Sequence, residues 1–562
     1  MKNWSSRVND AVARSIVGRR FRLEGSGHRR ERKGARFLTE IRAGLTTFFA
    51  MAYIISVNAT ILTDSGGPCV CTDTKDPTCK TDIDYNLCLN VLKRDQITAT
   101  AAISALSSFC MGLFSNMPIA LAPGMGLNAY FTYTVVGFHG SGPVSYGLAL
   151  TAVFVEGFIF FALSLFGMRQ WLARAMPKCI KLASGVGIGL YLSLIGLTYS
   201  AGIGAITGDR DTPVTLGGCV PSEMVDGVCP GGARMRNPTL WVGIFCGGIL
   251  TCVLMMYRVK GAIIAGILLV SVISWPRPTN VTSKARSSNR SGIWRQAGGQ
   301  FGLALITFLY VDILDATGTM YSMARFCGAI DERTQDFEGS AMAYTVDALS
   351  ISIGSLFGSS PVTAFVESGA GISEGGKTGL TAMTTGVCFF VSIFFSPIFA
   401  SIPPWATGCT LILVGSMMVR VAADINWRYM GDAIPAFVCL AVMPFTYSIA
   451  YGLIAGILTY ALLNTLVKVV EVLSCGKIVP ENKEFKDPWT YKVPGGVLPG
   501  WQRRLARGKR DFWREDEDEL GEASAGAGAG AGSESQVELD GVVKGGLRVK
   551  PLSASEEFDK LS

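Results

Sequence analysis

Apolar residues in this chain come in runs of about twenty, the length that crosses the hydrocarbon core of a bilayer as a helix. The runs fall near 43–62, 98–117, 121–138, 143–167, 180–201, 239–257, 261–275, 299–324, 341–358, 361–372, 379–400, 405–421, 430–449 and 451–473. This pattern predicts about fourteen crossings and an all-α polytopic membrane protein, because only helices and closed barrels satisfy their backbone groups in lipid. Residues 1–42 hold twelve Lys/Arg against four acids and read as a solvated basic tail. A helix lying on the inner leaflet is the alternative, since Val8, Val12 and Ile16 stand at helical spacing among arginines. Beyond about residue 474 the chain carries the acidic run REDEDELGE and the low-complexity ASAGAGAGAG. Such a composition cannot bury a core and predicts a disordered tail.

The connections fix an orientation. Basic residues collect in the N-tail, at Arg169, Arg174, Lys178 and Lys181, at Arg258 and Lys260, between Arg420 and Arg428, and at the start of the C-tail. With fourteen crossings and a cytoplasmic N-terminus all of these lie inside, as the positive-inside rule asks. One loop disobeys: 276–298 is expected outside yet holds Arg277, Lys284, Arg286, Arg290 and Arg295, together with N-x-S/T sequons at Asn280 and Asn289. Over all 562 residues only 17% are charged, against about 25% in soluble domains. The net charge of +7 resides in tails and connections and gives no reason to expect nucleic-acid binding.

Cysteine positions add a second layer. Cys69, Cys71, Cys79 and Cys88 fall in the first outer loop, and Cys219 with Cys229 in the outer loop before 239. An oxidising exterior makes disulfides the expectation, with three pairings open to the first four. Their spacing lacks a paired C-x₂-C pattern and nearby histidine, so a metal cluster is disfavoured.

Candidate chemistry resides in acids at membrane depth, where an ionisable side chain is costly and usually faces a functional cavity. They are Asp312 and Asp315 in GLALITFLYVDILDATGTMYSMA and Glu367 in GSLFGSSPVTAFVESGAGIS. Two short segments are interrupted near their beginnings, one by Pro123, Gly124 and Gly126, the other by Gly358 and Pro361. Paired broken segments in corresponding halves of a chain are the best sequence pointer to a carrier's binding site. Asp312, Asp315 and Thr319 follow i, i+3, i+7 spacing, while Asn128 with Thr132, and Thr363 with Glu367, follow i, i+4, so each set is expected on one helical face. No Lys or Arg lies in the central segments to neutralise the acids, which suits them to taking up and releasing protons and points to proton-coupled transport. Carboxylates beside an Asn match a planar heterocycle bearing adjacent donors and acceptors, and would repel inorganic anions. The chain has no Walker A loop and no H-E-x-x-H, so no enzyme is expected. The Gly-rich GVGIGLYLSLIG has no strand before it and reads as close helix packing rather than a nucleotide loop.

Four long runs carry a family resemblance: FLTEIRAGLTTFFAMAYIISVNATIL, LAPGMGLNAYFTY, FLYVDILDATGTMYSMARF and SSPVTAFVESGAGISEGGKTGLTA. Over roughly residues 5–480 the chain resembles the AzgA-type purine permeases, a branch of the nucleobase–ascorbate transporter superfamily. The resemblance implies two inverted repeats of seven segments. A core domain would comprise 43–167 and 299–400, and a gate domain 168–275 and 401–473, with 276–298 as a loop and 1–42 and 474–562 as cytoplasmic tails. It also implies uptake of hypoxanthine, adenine and guanine with protons at the plasma membrane, both termini cytoplasmic, no further cofactor, and a homodimer formed through the gate. By the same resemblance Asn128, Asp312 and Glu367 bind the purine and Asp315 couples the proton. The rival readings are an anion exchanger of the same fold and a membrane sensor that binds purines without moving them. The acids and the lack of a globular C-terminal domain count against the first.

Overall fold

The computed structural model describes residues 2–29, 31–70, 82–166, 177–198, 202–207, 214–220, 229, 233–257, 259, 261–274, 298–331, 336–337, 339–474, 480 and 483–486. The architecture is almost wholly helical. Among the described residues eight helices are long and apolar enough to cross a membrane: Phe37–Asp64, Ile83–Ser115, Tyr146–Leu165, Lys178–Leu197, Pro238–Met256, Gly379–Ala400, Trp405–Asp424 and Ile449–Leu473. Shorter apolar helices occupy Ala262–Ser274, Ala304–Ile313 and Met430–Phe445. Every apolar run of the sequence coincides with a helix or an interrupted helix. Large apolar side chains such as Phe394, Phe445 and Leu473 stand on the outside, at 73%, 86% and 79% exposure, as a surface facing acyl chains requires.

Several boundaries differ from the hydropathy reading for identifiable reasons. The second run extends back to Ile83, because Asp82 caps the helix by accepting from the Asp84 and Tyr85 N–H groups and polar first turns hide it from hydropathy. The first run is two helices, Phe37–Met51 and Ile54–Asp64, separated at Ala52 and Tyr53. Helix Met430–Phe445 contains Pro435 and Pro444, each of which removes a backbone donor, and it ends one residue after Pro444.

Helices Lys178–Leu197, Pro404–Val419, Met430–Phe445 and Ile449–Leu473 pack on one another. Phe37–Met51, Ile54–Asp64, Ile83–Cys110, Tyr146–Leu165, Ser340–Leu356 and Gly379–Ser392 form a second packed set. Small residues set the spacing in the first: a Cβ on Gly189 or Gly196 would stand only 2.7 or 2.6 Å from the carbonyl oxygens of Gly415 and Gly408. The glycine-rich string is therefore close helix packing.

The N-terminal region is not the solvated tail the composition suggested. It forms helices Lys2–Ala13 and Ile16–Phe21 and then folds back on the helical body. Phe21, Leu23 and Ala13 are buried in a cluster with Leu380, against which Leu113 and Met383 also pack. Arg20 Nη2 donates to Leu113 O at 2.7 Å, and Arg32 Nη1 to Asn116 O at 2.9 Å and to Lys377 O. Apolar residues hidden among twelve cations carry the docking, and charge counting alone cannot see them.

Disulfides join Cys69 to Cys88 and Cys219 to Cys229. Cys71, Cys79, residues 276–297 of the loop expected at 276–298, and the tail beyond 486 lie outside the described residues. Among the described residues, three two-stranded ladders interrupt the helical fold: β1 (Leu121–Pro123) with β6 (Val362–Ala364), β2 (Ile206–Thr207) with β3 (Thr215–Leu216), and β4 (Ile330–Asp331) with β5 (Asp336–Phe337), all antiparallel. The first of these organises the site.

Candidate functional site

The two interrupted segments meet head to head. β1 and β6 pair with Leu121 opposite Ala364, Ala122 opposite Thr363 and Pro123 opposite Val362. Backbone groups that the unwinding exposes are thereby satisfied within protein, the condition for non-helical chain at membrane depth. Gly124 N donates to Pro361 O at 2.9 Å and Phe365 N to Ala120 O at 3.1 Å. Ser108 Oγ bonds both the N–H and the carbonyl of Leu121 at 3.0 Å, and Ser368 Oγ accepts from Ala120 N at 3.0 Å.

The local sequence dictates this crossing. Pro361 has no N–H and pushes the residue before it away from the helical region. Gly358 takes φ +76°, and its carbonyl accepts from Gln96 Nε2 at 2.9 Å and from the Tyr146 hydroxyl at 2.7 Å. Gly124 permits the close approach: a Cβ there would lie 2.6 Å from Thr363 Cγ2.

After the crossing each segment turns helical. Met125–Ala129 carries Asn128 and widens into a π-helix at Tyr130–Val135, which holds Thr132. The α-helical spacing expected between Asn128 and Thr132 thus fails at Tyr130, though both side chains are fully buried. The Asn128 amide and the Thr132 and Thr363 hydroxyls have no hydrogen-bond partner among the described residues. Leaving such groups buried and unsatisfied costs about 1–3 kcal/mol each, so they are available to a polar solute. Thr363 and Glu367 do not share a helical face as the i, i+4 spacing suggested. Thr363 lies in β6, and Glu367 immediately precedes helix Ser368–Ser373. Proline and the strand partner override helical periodicity there.

Helix Gly298–Phe326 carries Asp312 and packs against β6, Met125–Ala129 and Ser368–Ser373. The segments bearing Asn128 and Glu367, joined by the β1–β6 pairing, therefore both lie against the helix of Asp312. Tyr130 stacks edge-on against Phe308 with ring centroids 5.1 Å apart, one turn before Asp312. Asp312 is fully buried, and Thr319 nearly so. Asp315 follows Asp312 by one turn on this helix, and its side chain lies outside the described residues.

Glu367 is part-exposed and accepts a hydrogen bond from the Tyr53 hydroxyl at 2.7 Å. Sequence reasoning passed over Tyr53, an aromatic residue inside an apolar run. It also passed over Glu40, Glu156, Asp347 and Asp432, all buried. The isolated acid in an apolar run was the available signal for the middle two. Glu40 is structural: it accepts from the N–H groups of Lys377 and Thr378 at 3.0 and 3.1 Å and from Thr381 Oγ1 at 2.6 Å.

A bundle of membrane-length helices around two crossed, unwound segments lined with buried polar groups defines a solute transporter, and not an enzyme. Residues 86–455 match the xanthine/uracil permease model, described as "Permease family". Two fungal relatives match over 92% of this chain. One is the efflux pump notK' of Aspergillus versicolor, 63% identical over 94% of its own length; the other is a putative xanthine/uracil permease of Schizosaccharomyces pombe, 58% identical over 86% of its own length. The guanine/hypoxanthine permease PbuO of Bacillus subtilis is 34% identical over 76% of this chain and 91% of its own. The chain belongs to the xanthine/uracil permease family, within the nucleobase–ascorbate transporters. The transmembrane domain of the cyanobacterial bicarbonate transporter BicA shares its fold, with a TM-score of 0.51 at 15% identity over 75% of this chain and 97% of that one.

Proposed function

We propose that this protein is a proton-coupled transporter that takes up the purine nucleobases hypoxanthine, adenine and guanine across the plasma membrane. In this reading Asn128, Asp312 and Glu367 contact the base and Asp315 carries the proton. Protons are the coupling ion, and no other cofactor is needed. The observation that carries the reading is the β1–β6 crossing, which holds the segments of Asn128 and Glu367 together beside the helix of Asp312. A carboxylate accepts ring and exocyclic N–H groups, and an asparagine amide both donates and accepts, so the set matches a purine edge. The printed name of the Bacillus relative, a guanine/hypoxanthine permease, supports the same substrate class. An anion exchanger is disfavoured, because carboxylates at the site repel anions.

The experiment is accumulation of radiolabelled hypoxanthine by cells carrying the transporter, with and without a protonophore. Concentrative uptake that collapses with protonophore is expected. Binding without accumulation would instead identify a sensor. A second reading concerns direction, since the Aspergillus relative is named an efflux pump. Cells preloaded with labelled base separate the two: faster loss from expressing cells than from controls, with no concentrative uptake, would make this chain an exporter.

A further inference from the structure

We infer that Tyr53 is a positioning residue that holds the Glu367 carboxylate in one orientation and so sets which ring edges the site accepts. The inference rests on the reading of Glu367 as a purine contact. Tyr53 stands at the break between Phe37–Met51 and Ile54–Asp64 and is 2% exposed, and its hydroxyl donates to Glu367 Oε1 at 2.7 Å. Both partners sit at helix interruptions, one in the first membrane segment and one in the second broken segment, 314 residues apart in sequence. Such a bond is not a by-product of one helix's periodicity.

The chemistry follows from the donor count. A carboxylate rotates about its last bond, and a free one presents either oxygen to a ligand. With Oε1 held by a buried phenol, Oε2 is left as the oxygen oriented toward the solute. The Tyr53 hydroxyl occupies Oε1, so Oε2 is the oxygen left to accept from a ligand. The site therefore calls for a ligand that donates an N–H there, and disfavours one that presents a lone pair or a methyl group at the same position. An unpaired polar group built into a site is what makes such discrimination large.

The test compares the full-length protein with Y53F, E367Q and the double variant, measuring KM and Vmax per surface molecule for hypoxanthine, and inhibition by an analogue methylated at the N–H edge. Y53F is expected to raise KM for hypoxanthine on the order of tenfold, the loss of about one charge-assisted hydrogen bond. Vmax should hold, and discrimination against the methylated analogue should fall. The double variant should bind no worse than E367Q alone, because both changes act through one carboxylate. A merely structural tyrosine would give ligand-independent, additive losses, and that result overturns the inference. Wild-type KM and discrimination in Y53F, with KM raised in E367Q, also overturns it while leaving Glu367 in the site. Wild-type KM in E367Q removes Glu367 from the site and the inference with it. Ligand-induced thermal shifts on purified protein repeat the comparison without depending on delivery to the membrane.

Discussion

Asn116 Oδ1 accepts the backbone N–H of Gly379 at 2.8 Å, joining the end of the second membrane segment to the start of the eleventh. Asn116 adopts φ +53°, a left-handed conformation that asparagine tolerates better than most residues. Its Nδ2 donates to Phe21 O at 3.4 Å, and its carbonyl receives Arg32. One side chain thus ties the folded N-terminal region to two helix ends. Asn116→Ala should lower stability by about 2–4 kcal/mol, from a lost buried acceptor and added backbone strain. Asn116→Gly should recover the strain component alone. Both are read by thermal unfolding, together with protease cleavage between residues 14 and 36. Wild-type protection in the alanine variant would mean that the N-terminal region is held by its apolar contacts.

The β1–β6 crossing depends on the missing side chain at Gly124. Gly124→Ala places a methyl 2.6 Å from Thr363 Cγ2 and should separate the strands, at a cost of roughly 1–3 kcal/mol. Transport should fall more than stability does, because the shift reaches the segments of both Asn128 and Glu367. Adding Thr363→Ser removes the opposing methyl and is expected to restore uptake in part. If Gly124→Ala transports at the wild-type rate, the crossing does not position the site.

The proposal that Asp315 carries the proton has a direct test. Asp315→Asn mimics a permanently protonated carboxyl. It should still bind purine, with less dependence on pH, but should not concentrate it. Reconstituted vesicles under an imposed pH gradient measure this. Accumulation of hypoxanthine by the Asn variant in response to that gradient would exclude Asp315 as the carrier and shift the role to Asp312 or Glu367.

Non-reducing peptide maps should recover Cys69 linked to Cys88 and Cys219 linked to Cys229. Removing the Cys69–Cys88 link by a double Ser substitution should cost about 3 kcal/mol, through the freedom returned to the unfolded loop. Complete alkylation of all four cysteines without reductant would refute the pairing, and would argue against an exterior location for both loops.

Reading apolar runs along the chain was enough to place nearly every helix, because burial in lipid forces a continuous apolar stretch whatever its neighbours are. It was also enough to find the two interrupted segments, since proline and glycine act through their own backbone chemistry. Asn128, Asp312 and Glu367 were legible as polar exceptions in apolar surroundings. What the sequence could not supply was the partner of each exception. Thr363 appeared to share a helical face with Glu367, but a strand pairing with residues some 240 positions away places it elsewhere. Tyr53 looked like any apolar aromatic until the fold brought its hydroxyl to Glu367. The basic N-terminal region looked solvated, because the apolar contacts of Phe21 and Leu23 are made with helices far along the chain. Local chemistry fixes where a helix can start, stop or break; which side chains then meet is a property of long-range packing, and only the tertiary structure decides it.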